Sequence, residues 1–456
     1  MTGSALYPPF SMGRSPNKSE TELHPEDSPP ALSPSPWLPQ LRREIWILVT
    51  GQLLLFIGQG FTLVYASIFF VNQLGFSPMQ VGLALSSSGL TGIFGRFFAG
   101  CAIDSRWLGR RGTLLLAAVV SALACVCLAL ADTFGLLVAG NMLLGLGLSL
   151  YWPATLAVIA DLSTAENRSE AFALSQLSNN LGLGVGALLA GQYIALTGAL
   201  AGSYRALFVA KGLVYLVFGL VIWNAIAETR QGETTLKQVA KNWGTALRDR
   251  ALVTFLLANI FFAIYGAQLS SSLPLYLANF IPSAQASMES TGGFSEQVIS
   301  YLFFWHALIK IIGQLPTTRW AKQIDHVSIL LFTLILWASA AAFFWLAGIV
   351  SRYGLIAALV GFFLVAIAEM VYGPASSALV GEMSPPDQRG IYFSLESECW
   401  GIGFLLGPAL GGWALDHPVN GGANLWLVLV VSTGIPGAIL LYLKQQLSQE
   451  SSETQA

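Results

Sequence analysis

Charge is scarce in this chain. Its 456 residues include 22 Lys or Arg and 24 Asp or Glu, so only 10% of the sequence is charged and the formal net charge at pH 7 is −2. A soluble domain carries about 25% charged residues, and a protein that binds nucleic acid needs a basic surface. The composition therefore excludes an ordinary soluble domain and gives no sign of a nucleic-acid partner.

Cysteines and catalytic motifs are also few. The four cysteines, Cys101, Cys125, Cys127 and Cys399, all lie in apolar segments, which indicates buried thiols and neither a disulfide framework nor a metal site. The sequence has no zinc-protease His-Glu pair, no Gly-x-Ser-x-Gly elbow and no phosphate loop. We therefore expect no enzyme, no catalytic residue and no cofactor, with a proton or sodium gradient as the energy source.

What the chain does have is long apolar runs. Hydrophobic residues make up 54% of it, and twelve segments of about 20 apolar residues each are long enough to cross a bilayer. Most lysines and arginines fall in segments on one side of these spans, which predicts that both termini are cytoplasmic. Residues 1–41 and 445–456 are polar, and we expect both to be disordered tails.

The sequence repeats itself at an offset of 221 residues. Tyr151 matches Tyr372, and Pro153 matches Pro374. The same register joins Arg168 to its copy further along the chain. Such a duplication is the usual plan of a transporter that rocks around a central site. We therefore predict an all-α membrane protein with twelve transmembrane helices in two six-helix pseudo-symmetric bundles, residues 42–227 and 251–444.

Residues 228–250 link the two bundles. Leu236, Val239, Trp243 and Leu247 recur at helical spacing within this linker. The pattern predicts an amphipathic helix on the cytoplasmic membrane surface. An ordinary solvated linker is the alternative.

Acids and bases cluster where the spans reach the cytoplasm. Asp104 precedes a basic cluster, Asp161 and Arg168 lie seven residues apart, and both patterns are echoed in the second half. We expect a cytoplasmic gate whose ion pairs form and break between states; the alternative is that the arginines only anchor helix starts at the headgroups. The gate residues are Asp104, Arg106, Arg110, Arg111, Asp161, Arg168, Asp325, Glu382 and Arg389.

These loops resemble the signature of the major facilitator superfamily, and with the twelve spans and the duplicated half the resemblance covers residues 42–444. The seventh span, with Gln268 and Leu273-Pro274-Leu-Tyr276-Leu, is similar to the bacterial drug:proton antiporter and multidrug-efflux branch. One departure is Asn141, which stands where those antiporters have arginine. A second is the Gly-Pro pair associated with export, which falls in span eleven rather than span five.

Three ionisable residues lie deep inside apolar runs: His306, Lys310 and Glu369. Helix rise puts His306 and Glu369 about 20 Å from the cytoplasmic markers, and Lys310 and Glu396 about 10–14 Å from them. Depth thus pairs His306 with Glu369 and Lys310 with Glu396, although Glu369 is also a possible partner of Lys310. Charges at such depth usually mark a functional site, so we predict that Glu369 carries a coupling proton; a static buried ion pair is the alternative.

The other charges within spans are expected to be less informative. Lys211 and Arg96 lie close enough to the membrane surfaces to extend towards water. Glu396 and Glu398 are two residues apart on one helix, so at most one of them faces the cavity squarely.

The sequence therefore predicts a proton-coupled secondary transporter in the inner (plasma) membrane, acting as a monomer on a small organic solute. Efflux is the first choice, and the alternatives are proton- or sodium-coupled uptake of a sugar or organic acid, or lipid handling. Spans one, four, seven and ten line the cavity in the family that the chain resembles. Besides the four ionisable residues His306, Lys310, Glu369 and Glu396, the predicted cavity residues are Gln52, Gln59, Tyr65, Asn141, Tyr151, Gln268, Ser271 and Tyr372.

Overall fold

The computed structural model describes residues 41–105, 107–164, 167–228, 243–281, 293–321, 324–350, 352–385, 388–417 and 422–455. These residues form twelve membrane-crossing helices and no strand. The first six, which we call the N-half, are α1 (Arg43–Leu63 and Tyr65–Ile68, ending in a π turn at Phe69–Gln73), α2 (Pro78–Asp104), α3 (Gly109–Ala129), α4 (Phe134–Leu162), α5 (Arg168–Thr197) and α6 (Ala201–Ala225). The last six, the C-half, are α7 (Arg250–Gln268 and Ser272–Asn279), α8 (Glu296–Ala321), α9 (His326–Ile349), α10 (Gly354–Met383), α11 (Arg389–Asp416) and α12 (Asn424–Ser432 and Gly434–Gln455).

Nine helices within the described ranges are apolar enough to be membrane spans by length and composition alone. The other three, α2, α8 and α11, are 27, 26 and 28 residues long and carry the charges Arg96, Lys310 and Glu398. They pack at the boundary between the halves, α2 on α11 and α8 on α5. A helix that faces other helices rather than lipid can hold polar residues, so the predicted fold of twelve spans in two bundles is confirmed.

The duplication is visible in the helix boundaries. Helix α4 ends at Leu162 and α10 ends at Met383, which is the predicted offset, and each contains its proline, Pro153 or Pro374, at the matching position. The next helices, α5 and α11, begin at the matching arginines. The two halves therefore repeat the same local structure as well as the same residues.

Glycines bring equivalent helices together in each half. A Cβ placed on Gly60 of α1 would lie 2.8 Å from Gly186 Cα of α5. A Cβ on Gly403 of α11 would lie 2.6 Å from the carbonyl carbon of Ala263 on α7. Contact at this distance is possible only because the residue lacks a side chain, so the glycine stripes serve close helix packing.

The C-terminal end differs from the sequence prediction. Residues 445–455 continue the last helix, which runs to Gln455, where the sequence predicted a disordered tail. The segment is polar but contains no Pro or Gly, and extending an existing helix avoids the cost of nucleation. The predicted tail at residues 1–40 and most of the predicted amphipathic helix, residues 229–242, fall outside the described residues.

The even number of spans places Leu41 and the end of α12 on one side of the membrane, which we call the terminal side; the other is the distal side. Hydrogen bonds between the halves lie near the distal side, where α1 ends and α8 begins. The helices of the two halves are thus held together distally.

Candidate functional site

Three ionisable side chains meet between α8 and α10. Lys310 Nζ donates a hydrogen bond to Glu369 Oε2 at 2.8 Å, and His306 Nε2 lies 3.2 Å from the same oxygen. The histidine is at ion-pair distance but lacks the direction of a hydrogen bond. The side chains of Lys310, His306 and Glu369 are 19%, 13% and 22% exposed. One carboxylate oxygen therefore faces two basic groups in a site that is not fully buried; we call these three residues the charge cluster.

Helix packing holds the charge cluster in place. His306 and Lys310 are one turn apart and lie on the same face of α8. The ring of Phe362 packs edge-on against His306, with ring centroids 6.1 Å apart. A Cβ on Gly313 of α8 would lie 2.9 Å from Met370 Sδ, so glycine at this position leaves room for the Met370 side chain of α10. The basic groups therefore reach Glu369 from a helix that packs directly against α10.

Open space lies next to the charge cluster on the terminal side. Gly373 follows Glu369 by one turn of α10, and a Cβ placed on it would meet no atom within 4 Å. Residues one turn apart share a helix face. The face of α10 that carries Glu369 thus borders open space towards the terminal side.

Glu396 is not a partner of Lys310, so the depth pairing of these two residues is wrong. Glu396 Oε1 instead accepts a hydrogen bond from Ser376 Oγ of α10. Ser376 lies one helical turn beyond Tyr372. Tyr372 in turn donates to Asn259 Oδ1. Depth along a helix does not determine the direction in which a side chain points, and Lys310 points to α10 rather than α11.

The predicted cavity residues of the N-half are buried among helices. Gln52 Nε2 donates to the Tyr151 hydroxyl at 3.1 Å, and Asn141 Nδ2 donates to the carbonyl of Leu137 on its own helix at 2.9 Å. Gln59 is also buried. These side chains connect or stabilise helices, and no described contact brings them to the charge cluster.

The predicted residues of α7 behave in the same way. Gln268 Nε2 donates to the Gly407 carbonyl of α11 at 2.9 Å, and Ser271 Oγ donates to the Ala267 carbonyl at 2.8 Å. The side-chain carbonyl oxygens of Gln52 and Gln268 are buried and accept no hydrogen bond within the described part of the chain. Each therefore retains an acceptor that a ligand could use.

On the terminal side of the N-half, the described gate residues make contacts within their own half. Arg110 forms an ion pair with Asp161, and Arg168 donates to the Ala160 carbonyl at 3.2 Å. Arg111 donates to the carbonyl of Trp223 on α6. All of these contacts lie within one half.

The C-half has an equivalent arrangement. His326 Nε2 lies 3.1 Å from Glu382 Oε1, and Asp325 caps α9 by accepting from Ser328 N at 2.9 Å. Lys444 Nζ lies 3.1 Å from Asp325 Oδ2. Burial raises the pKa of Asp325, but the bonds from Ser328 and Lys444 outweigh it, so the net pKa is lowered.

Three gate residues fall outside this description, namely Arg106 and the side chains of Asp104 and Arg389. The described pairs link each loop to its own half. A gate that joins the halves in another state stays a prediction.

One ion pair between the halves was not anticipated. Arg96 Nη1 of α2 lies 3.9 Å from Glu398 Oε2 of α11, and the two side chains are 19% and 8% exposed. The sequence suggested that Arg96 extends to the membrane surface, which is wrong: its guanidinium turns into the interface between the helices. Arg96 and Glu398 lie at matching depths in the sequence, each about nine residues from a cytoplasmic marker. This match could have predicted the pair.

Lys211 is also buried, contrary to the prediction that it reaches the surface. It is 3% exposed, and its Nζ donates to Thr62 Oγ1 of α1 at 2.9 Å. The side chain lies at the middle of α6 and packs towards α1, so its direction, rather than its depth, decides its surroundings.

The distal side is closed by polar contacts that the sequence did not indicate. Asn72 and Asn279 exchange side-chain amide hydrogen bonds at 2.8 Å. Tyr204 donates to Glu296 Oε1 at 2.9 Å, and Tyr65 donates to the Glu296 carbonyl at 3.0 Å. Each bond joins the N-half to the C-half. We call these five residues the distal seal; Tyr65 thus lies in the seal and not beside the charge cluster.

Comparison with known proteins agrees with this architecture. The sequence profile of the Major Facilitator Superfamily matches residues 48–281 and 277–455. A Na(+), Li(+), K(+)/H(+) antiporter of Planococcus maritimus is 25% identical over 393 residues, which cover 80% of this chain and 88% of that protein. The multidrug resistance protein MdtH of Photorhabdus laumondii is 24% identical over 425 residues, which cover 90% of this chain and 96% of that protein.

Solved structures show the same fold. The nucleoside transporter NupG superposes with a TM-score of 0.73 at 13% identity, over 88% of this chain and 99% of that one. A bacterial homolog of the human lysosomal transporter Spinster superposes with a TM-score of 0.65 at 17% identity, over 88% and 96% of the two chains. With a family profile that spans both halves, the chain belongs to the major facilitator superfamily and is a multi-pass membrane transporter.

Proposed function

We propose that this protein exports a small organic solute in exchange for protons, and that Glu369 carries the proton. The observation that supports this most is the charge cluster, in which two basic groups compete for one oxygen of a carboxylate within the membrane. Charged groups at this depth are costly and are retained mainly where ions or substrates move. We further propose a monomer in the inner membrane with cytoplasmic termini and no cofactor.

Proton binding would change the contacts of α8. While Glu369 is ionised, its carboxylate holds Lys310 and His306. A proton on the carboxylate removes the negative charge that both bases face, so both contacts weaken. Reformation of the ion pair expels the proton to the open space beside Gly373. In this way the proton enters and leaves at one atom, and no covalent step is needed.

Helix α8 can transmit this change to the other half. A Cβ on Gly184 of α5 would lie 2.5 Å from the Cβ of Ala307, which is adjacent to His306. The face of α8 next to the charge cluster therefore packs tightly against the N-half. A shift of α8 against α10 must alter this interface, which is how a local charge change could favour one access state.

The relatives support the direction of transport. MdtH is named a multidrug resistance protein, and from this likeness we infer export of organic solutes for this chain. The relative from Planococcus is named an antiporter of monovalent cations and protons, so exchange of Na⁺, Li⁺ or K⁺ for protons is a second candidate for this chain. Both candidates use the same proton step at Glu369.

Inside-out vesicles with an imposed pH gradient test the proposal. A pH-sensitive dye reports whether an added solute releases protons from vesicles that contain the protein. We expect proton release with lipophilic organic cations or uncharged drugs, and none with vesicles that lack the protein. Release with Na⁺, Li⁺ or K⁺ alone would favour the second candidate. If a solute crosses these vesicles at the same rate with and without the pH gradient, proton coupling is contradicted.

A further inference from the structure

We propose that Arg96 and Glu398 form a second proton-sensitive site, separate from the charge cluster, which sets the balance between the two access states. The proposal rests on the proposed function only in assuming that the halves alternate between two states. It differs from the charge cluster in position, because the pair crosses the boundary between the halves whereas Lys310 and Glu369 both belong to the C-half.

The pair lies in the packed interface between α2 and α11. On the distal side, a Cβ on Gly82 would lie 3.0 Å from Gly412 Cα. Towards the terminal side, a Cβ on Gly401 would lie 2.7 Å from Arg96 Nη1. The Arg96–Glu398 pair follows Gly401 in the direction of the terminal side. The ion pair therefore lies on the terminal side of these close glycine contacts between the two helices.

The interaction is incomplete in this state. The closest approach, 3.9 Å, is too long for a hydrogen bond. Both carboxylate oxygens of Glu398 and the Arg96 Nη1 atom are buried, and none has a hydrogen-bond partner among the described residues. Buried charges without hydrogen bonds are unfavourable. The pair can gain these bonds if the helices approach, or it can lose its charge if Glu398 takes a proton.

No other charged group of the described residues competes for Glu398. On its own helix, Glu396 accepts from Ser376, and the Cys399 thiol donates to the Leu256 carbonyl of α7. Helix α7 carries no charged residue after its first, Arg250. Protonation of Glu398 would therefore abolish its electrostatic attraction to Arg96 and would change few other interactions.

The position of the pair determines the direction of the effect. A rocking motion that opens the distal side must bring the terminal ends of α2 and α11 together, which shortens the Arg96–Glu398 distance. The pair then stabilises the distal-open state more than the distal-closed state described here. Protonation or neutralisation of Glu398 should consequently favour the distal-closed state.

Spin-label distances across the distal side test this inference without a substrate. One label replaces Gly202, where an added Cβ meets no atom within 4 Å, and the other replaces Leu355, which is 45% exposed. The two positions lie on opposite halves and outside the distal seal. The native cysteines are replaced by alanine, and the parent is measured at a pH at which it populates both distances.

We expect E398Q and R96Q each to shift the ratio of distal-closed to distal-open protein about tenfold towards closed, which corresponds to about 1.4 kcal/mol. The charge-reversed protein R96E/E398R should return towards the parent ratio. The matched control E396Q, which alters a carboxyl two residues away that does not face Arg96, should leave the ratio unchanged. If E398Q alone does not fold, R96Q/E398Q should show the same shift, because it leaves two neutral partners.

Acidification provides the second measurement. The parent should shift towards the distal-closed state as pH falls. E398Q should lose the part of this response that comes from Glu398, and E369Q should keep that part. An unchanged ratio in E398Q, an equal shift in E396Q, or a full pH response in E398Q would overturn the inference. These results are independent of coupling at Glu369. If E369Q loses proton coupling but E398Q leaves the distance ratio unchanged, this inference alone is rejected; if E369Q stays coupled while E398Q shifts the ratio, the proposed role of Glu369 alone is rejected.

Discussion

Replacing Lys310 with methionine should destabilise the protein because it leaves the Glu369 carboxylate with only one basic neighbour. The two charges are 2.8 Å apart, and at an effective dielectric constant of 20 their Coulomb attraction is about 6 kcal/mol. Desolvation of both groups offsets much of this attraction, but removing one partner leaves the desolvation cost of the other. We expect a loss of about 3 kcal/mol, at the low end for buried pairs, because His306 remains 3.2 Å away.

The double variant K310M/E369Q distinguishes this mechanism from a loss of packing. Without the carboxylate there is no unpaired anion, so the double variant should lose only about 1 kcal/mol, about 2 kcal/mol less than K310M alone, and the coupling energy should be at least about 2 kcal/mol. Unfolding titrations in detergent micelles on the parent, both single variants and the double variant measure it. The control is K444M, whose ion pair with Asp325 is about half exposed and should contribute less than about 1 kcal/mol. Additive effects of the two substitutions within about 0.5 kcal/mol would refute the reasoning.

Three further sets of variants examine the distal seal, the glycine packing and a helix cap. Tyr204→Phe removes the hydrogen bond to Glu296 and should shift the spin-label distances towards the distal-open state by about tenfold; an unchanged distribution would mean that the bond does not hold the seal. Gly403→Leu should cost at least about 1–3 kcal/mol in an unfolding titration because it forces a side chain into the backbone of α7, whereas the control Gly434→Leu, at a position with no atom within 4 Å, should cost little. Asp325→Ala should lose about 1 kcal/mol of capping and Asp325→Asn much less. Because the pKa of Asp325 is lowered, the advantage of the carboxylate over asparagine should be present above about pH 4 and vanish as pH falls further, and equal stability of the parent and Asp325→Asn at pH 7 would contradict this.

The duplicated architecture was predictable because the residues that mark it, prolines and glycines, act on the structure of the helix that contains them. The matching prolines, Pro153 and Pro374, lie inside equivalent helices, and the glycine stripes mark where helices approach. Hydrophobic length alone was sufficient for nine spans of the described chain. The three less apolar spans were predictable because their polar residues are few and widely spaced.

The directions of side chains were not predictable in the same way. Depth along a span follows from counting residues, but the partner of Lys310 depends on how α8 is rotated relative to α10 and α11. The same uncertainty hid the inward direction of Arg96 and Lys211, because a long side chain can reach either water or an interior partner. Composition alone favours contact with water for these two side chains, whereas the packing of the helices directs them to interior partners.

The distal seal was missed for a different reason. Asn72, Asn279 and Tyr204 lie at helix ends, where polar and aromatic residues are expected at the membrane surface in any case. Nothing in the sequence pairs residues that are 207 positions apart, as are the two asparagines. Only the packing of one half on the other brings them together.

Proton coupling in the variant E369Q tests the central claim most directly. Solute-driven proton movement is measured in reconstituted vesicles for the parent, E369Q and the control E396Q across a series of pH values. If Glu369 carries the proton, E369Q should exchange solute across the membrane but should neither move protons nor accumulate solute against its gradient, while E396Q should retain both activities. Full coupling in E369Q at every pH would contradict the claim.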